Sequence, residues 1–276
     1  MKHSSGRTLR ALSLAAAVLV SLAPTAARAS NSKGKFERTL EVGGPVEVDV
    51  QTAAGNISVR MVTGSSVRVS GEVRVKTGLL QSDPVSERKL QQIVSHPPIE
   101  RHGNSITIGR LRDSDLRRDT FISYEIEVPP DTRLRSNTGL GDLRVEGLHG
   151  VVNADTGAGK VTISGITGDV HANTGLGDVT IREVTGTLRA DSAAGNVSAE
   201  GEPRATWRLA TVLGDVRVRL LGQTGVDLHA ETGLGEIFTA FPFPVEGAIS
   251  HELRGKLRGG GHLVELKSGA GSIRIE

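Results

Sequence analysis

From about Arg133 onward, apolar and polar residues alternate in short bursts, and the bursts themselves recur. Leu143, Val161, Val179 and Val197 each stand two places after a glycine. Val145, Ile163, Ile181 and Ala199 follow two places later, with Arg144, Thr162, Thr180 and Ser198 between them. Alternation with period two marks a strand with one face buried. A second burst places Val152, Val170 and Leu188 two positions before Ala154, Ala172 and Ala190, where the strand is predicted to end. Gly150, Gly168 and Gly186 mark the opposite bend. The copies are 18 residues apart, as Gly139, Gly157 and Gly175 show, and Ala193 takes the same place after another 18. Looser copies follow at Thr211–Asp215, Glu231–Glu236 and Lys267–Ser272, and an early one, "QTAAGN", lies at Gln51–Asn56.

One such unit of strand, turn, strand, turn cannot bury its apolar side alone, whereas stacked copies share a continuous core. The pattern predicts an all-β fold: a single-stranded parallel β-solenoid, right-handed by the crossover rule, with about 18 residues per rung and an α/β insertion near the N-terminus. Sheets about 10 Å apart leave room for aliphatic side chains and little for rings, which fits an aromatic content of 3%. The recurring phrase "NTGLGD" (Asn137–Asp142 and Asn173–Asp178) is read as the bend of each rung. Stacking brings equal columns together, so like charges should not repeat up a ladder. Asp142, Lys160 and Asp178 alternate in sign and are followed by Asn196, while Thr138, Thr156, Thr174 and Ser192 are expected to form a hydroxyl ladder beside the bend.

The rhythm divides the chain. Residues 1–29 read as a signal peptide, 30–70 as first solenoid strands and N-terminal cap, 71–131 as an inserted helix-plus-hairpin segment, and 132–276 as the main solenoid with an irregular C-terminal cap. In the early copy Ile57, Val59 and Val62, then Val67 and Val69, should face inward. Within the insertion, Asp83 is a good N-cap, Pro84 suits the first helical position, and Leu90, Ile93 and Val94 form an apolar stripe that Pro97 and Pro98 end. A hairpin is expected around His102-Gly103-Asn104. "TFISYEIEV" then alternates Ile122, Tyr124, Ile126 and Val128 against polar residues. The insertion is expected to cover the start of the stack, where a bare sheet edge invites aggregation.

The leader changes the charge balance. Lys2, Arg7 and Arg10 precede an apolar run from about Ala11 to Ala23, and Ala27-Arg28-Ala29 supplies a small-x-small cleavage pattern. The whole chain has 33 basic and 31 acidic residues. Without the leader's four basic residues 29 remain, for a net charge of −2. The sequence pI of about 9.1 is thus mostly the leader's, and a nucleic-acid partner gains no support. No second long apolar run follows, so no transmembrane segment is expected in the mature chain. The chain has no Cys, which excludes disulfides, thiolate metal sites and a lipidated cysteine.

Several phrases invite chemistry, each beside a plainer reading. Asp155-Thr156-Gly157 resembles an aspartic-protease phrase, but that mechanism needs a second carboxylate about 3 Å away. The best candidate, Asp191, lies two rungs off, with Asn173 between. "GAGKVT" at Gly157–Thr162 suggests a phosphate loop, yet the places that need Gly and Ser/Thr hold Ala154 and Val161. A calcium roll would put Lys160 in its ligand column, where a cation repels Ca²⁺. His149, His171 and His229 have no metal-binding spacing and are expected at exposed strand positions. Trp207 matches the inward Val170/Leu188 column, allowing for one inserted residue nearby, and reads as core and not as a sugar platform. The outward column Glu146, Ser164, Arg182, Glu200 offers one Glu–Arg pair two rungs apart, too little for a carbohydrate-cleaving site. No catalytic, cofactor-binding or metal residues are therefore assigned, and no cofactor is expected.

The recurring "TG-x-G-D-V-x-I-x-x-V-x-G-x-L-x-A", with the ending "GGGHLVELKSGAGSIRIE", resembles the bacterial "putative adhesin" β-strand-repeat family over about Phe36–Val69 and Arg133–Glu276. The resemblance implies an exported or envelope-associated domain and brings no catalytic residues. The expected function is a non-enzymatic binding or structural element of a bacterial cell envelope, in the periplasm, on the outer surface or secreted. Its expected partner is an envelope glycan or another envelope protein. A carbohydrate-active β-helix enzyme and an envelope-stress signalling module are the alternatives.

Overall fold

The computed structural model describes residues 31–76, 84–242 and 251–276. The leader and Asp83 lie outside them. The fold is mostly β: two 11-stranded sheets face each other and neither closes into a barrel. In the first sheet the repeat strands Leu143–Glu146, Val161–Ile166, Val179–Val184, Val197–Gly201 and Val216–Leu220 run parallel. In the second, Thr132–Leu140, Val152–Ala158, Val170–Leu176, Leu188–Ala194 and Trp207–Leu213 do the same. Val161 pairs with Val179 and Val152 with Val170, so residues 18 apart sit one above the other. Between the sheets lies one aliphatic core that includes Ile163, Ile181, Val170 and Leu188. Trp207, beside Leu188 in register, is fully buried within it.

Two elements differ from the sequence reading. The second-burst strands do not end at Ala154, Ala172 and Ala190 but continue to Ala158, Leu176 and Ala194. "NTGL" is therefore strand, and the corner is confined to the second glycine and the residue after it. That glycine recurs at each corner of the stack as Gly55, Gly141, Gly159, Gly177, Gly195, Gly214, Gly271 and Gly235, with φ between 139 and 150°. Other residues rarely adopt this conformation.

Order in space also departs from order in the chain. Val46–Ala54 and Ile57–Met61 stack directly on Thr132–Leu140 and Leu143–Glu146, Val48 against Leu134 and Ile57 against Leu143. At the other end, the last strands of the sequence, His262–Ala270 and Ile273–Ile275, slip in beside Trp207–Leu213 and Val216–Leu220. The strands Val226–Leu234 and Ile237–Thr239 are pushed outward, and Glu252–Leu257 adds an antiparallel edge. The sequence-final copy is thus an interior rung.

At the N-terminal end, Asn31–Glu41, Ser66–Lys76 and Thr120–Val128 form an antiparallel extension of the first sheet. Ile122, Tyr124, Ile126 and Val128 are buried as the alternation requires. Ile57, Val59, Val67 and Val69 are buried too, whereas Val62 is only half-buried. Helix Pro84–Ser95 buries Leu90 and Ile93. It packs so closely on the first strand that a Cβ at Gly34 would lie 2.7 Å from Val94. Ile99–His102 and Ser105–Ile108 form a hairpin, and its second strand pairs in parallel with Val46–Ala54. A single helical turn, Ser114–Arg117, is capped by Asp113, whose carboxylate accepts the N–H of Asp115 at 2.8 Å.

Candidate functional site

Because the inward positions are committed to the core, any recognition by the rungs falls to their outward columns and corners. The corners are built from two ladders. Each Thr or Ser of the hydroxyl column is buried and donates to the carbonyl of the corner glycine one rung away: Thr156 to Gly141 at 2.9 Å, Thr174 to Gly159 and Ser192 to Gly177 at 3.0 Å. The hydroxyls thus bond to backbone and not to one another.

The residue after the corner glycine forms the second ladder, through hydrogen bonds that charge alternation alone does not require. The Asn56 carbonyl accepts the N–H of Asp142 (3.0 Å) and the Asp142 carboxylate that of Lys160 (2.8 Å). Asp178 accepts from Asn196 and Asn196 from Asp215 (both 2.9 Å), and Asp215 from Ser272 (2.7 Å). The sequence signal was the recurrence of Asn or Asp at one column, since both carry a carbonyl oxygen on a short stem. Lys160 interrupts the ladder because an ammonium accepts no hydrogen bond. Its Nζ lies 4.0 Å from Asp178 instead. That pair is exposed, and such pairs are worth roughly 0.2–1 kcal/mol, whereas a hydrogen bond from a backbone N–H to a side-chain carbonyl contributes about 1 kcal/mol. Lys160→Asn, which restores an acceptor for the N–H of Asp178, should raise the unfolding free energy by about 0.5 kcal/mol or slightly more in a urea titration. A less stable variant would assign the larger role to the ion pair.

The outward face of the first sheet holds the candidate site. One column runs Arg144, Thr162, Thr180, Ser198, Arg217, Arg274 and Phe238, and the next runs Glu146, Ser164, Arg182, Glu200 and Arg219. Small hydroxyl residues between long guanidinium side chains leave a trough. Its main hollow, of about 360 Å³, is lined by Thr180, Ser198, Asp215, Arg217, Phe238 and Arg274 among others. A second of about 240 Å³ adjoins it and shares Thr180, Ser198 and Arg217. Arg274 lies over the Phe238 ring, 5.6 Å from its centre. Most carboxylates here are neutralised: Glu146 by Arg144 at 2.6 Å, Glu200 by Arg219 at 3.5 Å, Glu276 by Arg217 at 3.9 Å.

The other sequence candidates are dispersed. Asp155 and Asp191 flank Asn173 in register, and Arg189 holds Asp191 at 2.8 Å. His149 is exposed, while His171 and His229 are half-buried strand positions and not the open ones expected. Neighbouring side chains on the second sheet screen them, and His229 lies 3.2 Å from Glu252. Among the described residues no group of three His, Cys, Asp or Glu side chains could hold a metal ion.

Elsewhere ion pairs and hydrogen bonds hold carboxyls below their ordinary range. Asp169 is lowered by hydrogen bonds from Thr187, and Glu265 by Lys267 and then Arg208. Glu202 is lowered by Thr224 and then Arg204, and Glu252 chiefly by Arg254. Depressed folded-state values contribute stability above the unfolded pKa of about 4, and that stability is lost as pH falls through the lower folded values. The melting temperature should therefore hold level from neutral pH to about 5 and drop below about 4. A midpoint unchanged down to pH 2 would show these contacts to be inert.

The arrangement defines a class: a solenoid-like stack of parallel β-rungs with open, ladder-like faces. The Toastrack family model, a domain of unknown function (DUF4097), matches residues 104–276, and the chain belongs to that family. No curated protein matches. The fold is similar to a "putative cell adhesion protein" from Clostridium sporogenes (16% identity, 88% of this chain and 99% of that one, TM-score 0.41). It is also similar to a "putative adhesin" from Bacteroides fragilis (13% identity, 89% and 98%, TM-score 0.43). Among the described residues no helix is long and apolar enough to cross a membrane.

Proposed function

We propose that this protein is an exported, non-enzymatic β-solenoid, wound right-handed with about 18 residues per turn, that serves a bacterial envelope as an adhesin-like binding element. Its partner is an extended polar chain, an envelope glycan or a segment of another envelope protein, laid along the trough of the first sheet. The observation that carries this is the unbroken hydroxyl row Thr162, Thr180, Ser198 between Arg144 and Arg217. Hydroxyls and guanidiniums repeated every ~4.8 Å offer many weak, equivalent hydrogen bonds to a linear ligand. The leader at 1–29 supports export.

The test is retention of the purified protein on isolated envelope material, beside a variant carrying Thr180→Trp and Ser198→Trp. Both positions face outward, so the fold should survive and retention should fall at least tenfold. Failure of the parent protein to be retained, or equal retention of the filled-trough variant, would refute the reading.

A further inference from the structure

The corner carries an apolar column on a surface separate from the trough. Leu140, Leu176, Leu213 and Leu234 occupy every second rung, with exposures of 59, 61, 57 and 72%. Ala54, Ala158, Ala194 and Ala270 occupy the rungs between, each paired in register with its leucine neighbours. Isolated surface leucines need no explanation, but a straight ridge of knobs and notches does.

We propose that a second copy of this chain covers the ridge, in an antiparallel two-fold pairing. If the two stacks run in opposite directions and their full lengths overlap, each leucine meets an alanine: Leu176 faces Ala194 of the second copy, Leu140 faces Ala270, Leu213 faces Ala158, and Leu234 faces Ala54. A parallel pairing would set leucine against leucine. The same antiparallel register matches both flanks. On one side Lys160 faces Asp215, Asp178 faces Asn196, Asp142 faces Ser272, and Glu236 faces Asn56, so no two like charges meet. On the other, the exposed Val212 faces Gly157. Self-complementarity of this kind is what a two-fold interface requires. Four leucines, Val212 and the alanines expose roughly 600 Å² per copy, or about 1,200 Å² for the pair, the lower bound of specific interfaces. The dimer is therefore weak and concentration-dependent.

Because the chain has no Cys, engineered cysteines report the register directly. Within one copy, residues 160 and 215 are three rungs apart, about 14 Å, beyond the reach of a disulfide. A mixture of Lys160→Cys and Asp215→Cys proteins should form a disulfide-linked heterodimer on mild oxidation, whereas either alone should not. In sedimentation equilibrium the parent protein should show a monomer–dimer equilibrium that Leu176→Lys weakens at least tenfold with an unchanged melting temperature. A parent protein that is monomeric at every concentration, or crosslinking by Lys160→Cys alone, would overturn the proposal. Envelope retention by the Leu176→Lys variant separates this outcome from a failure of the trough.

Discussion

Trp207→Ala should be among the most damaging single changes in the molecule, lowering the unfolding free energy by about 3–5 kcal/mol. The chain has one Trp, and it occupies a column otherwise filled by Val152, Val170, Leu188 and Val264. Its extra volume fits because residue 201 is Gly, where a Cβ would stand 3.1 Å from the indole. Truncation would open a hole between two sheets whose backbones are hydrogen-bonded on both sides, so collapse is limited and the cavity cost remains. Trp207→Phe separates volume from polarity. The indole Nε1 is buried without a hydrogen-bond partner among the described residues, a burden of about 1–3 kcal/mol that phenylalanine removes. The loss of ring volume is offset accordingly, and the net change should be below about 1.5 kcal/mol. Urea unfolding followed by circular dichroism distinguishes the two. If both variants lost several kcal/mol, the indole N–H would have a role that the packing does not show.

The columns of the rungs were legible in the sequence because register in a parallel stack depends only on matching one copy to the next. Val161 over Val179 and Thr156 over Thr174 follow from the 18-residue spacing, and Trp207 over Leu188 follows once one inserted residue is allowed for. Order within the stack was not legible for the same reason. His262–Ala270 carries the same inward pattern as its neighbours, with Val264, Leu266 and Ser268 buried, and nothing in its periodicity says that it lies inside Val226–Leu234. The corner was misread for a local reason. "TG" and "GD" both look like turn chemistry, but only φ separates a glycine that turns the chain from one that stacks within a strand. The trough needed the structure as well. Its walls come from Arg217, Arg274 and Phe238, which lie beyond the regular copies, and the first two become neighbours only through the altered order at the C-terminal end.

The two glycines of the repeat should therefore respond very differently to substitution. Gly177→Ala is expected to cost about 3 kcal/mol, from a left-handed backbone that alanine resists and from direct collision. Gly177 has φ 143°, and a Cβ there would stand 2.1 Å from the carbonyl oxygen of Gly159, a backbone atom held in its own ladder. The column is glycine at each corner of the stack because every rung repeats both conditions. Gly175→Ala meets a milder obstacle. Its φ is not in that region, and its Cβ would lie 2.5 Å from the Gly157 carbonyl. Neighbouring rungs have already solved this by small shifts, since the same column holds Ala53, Ala193 and Val212. A cost near 1 kcal/mol is expected there. Because stability in a stack is shared through nearest-neighbour interfaces, the Gly177 variant should also speed amide exchange in Val179–Val184 and in the strands beside it, leaving the N-terminal extension protected. Equal costs at the two positions would mean that the chain does not turn at the second glycine, and the corner ladders built on that turn would have to be redrawn.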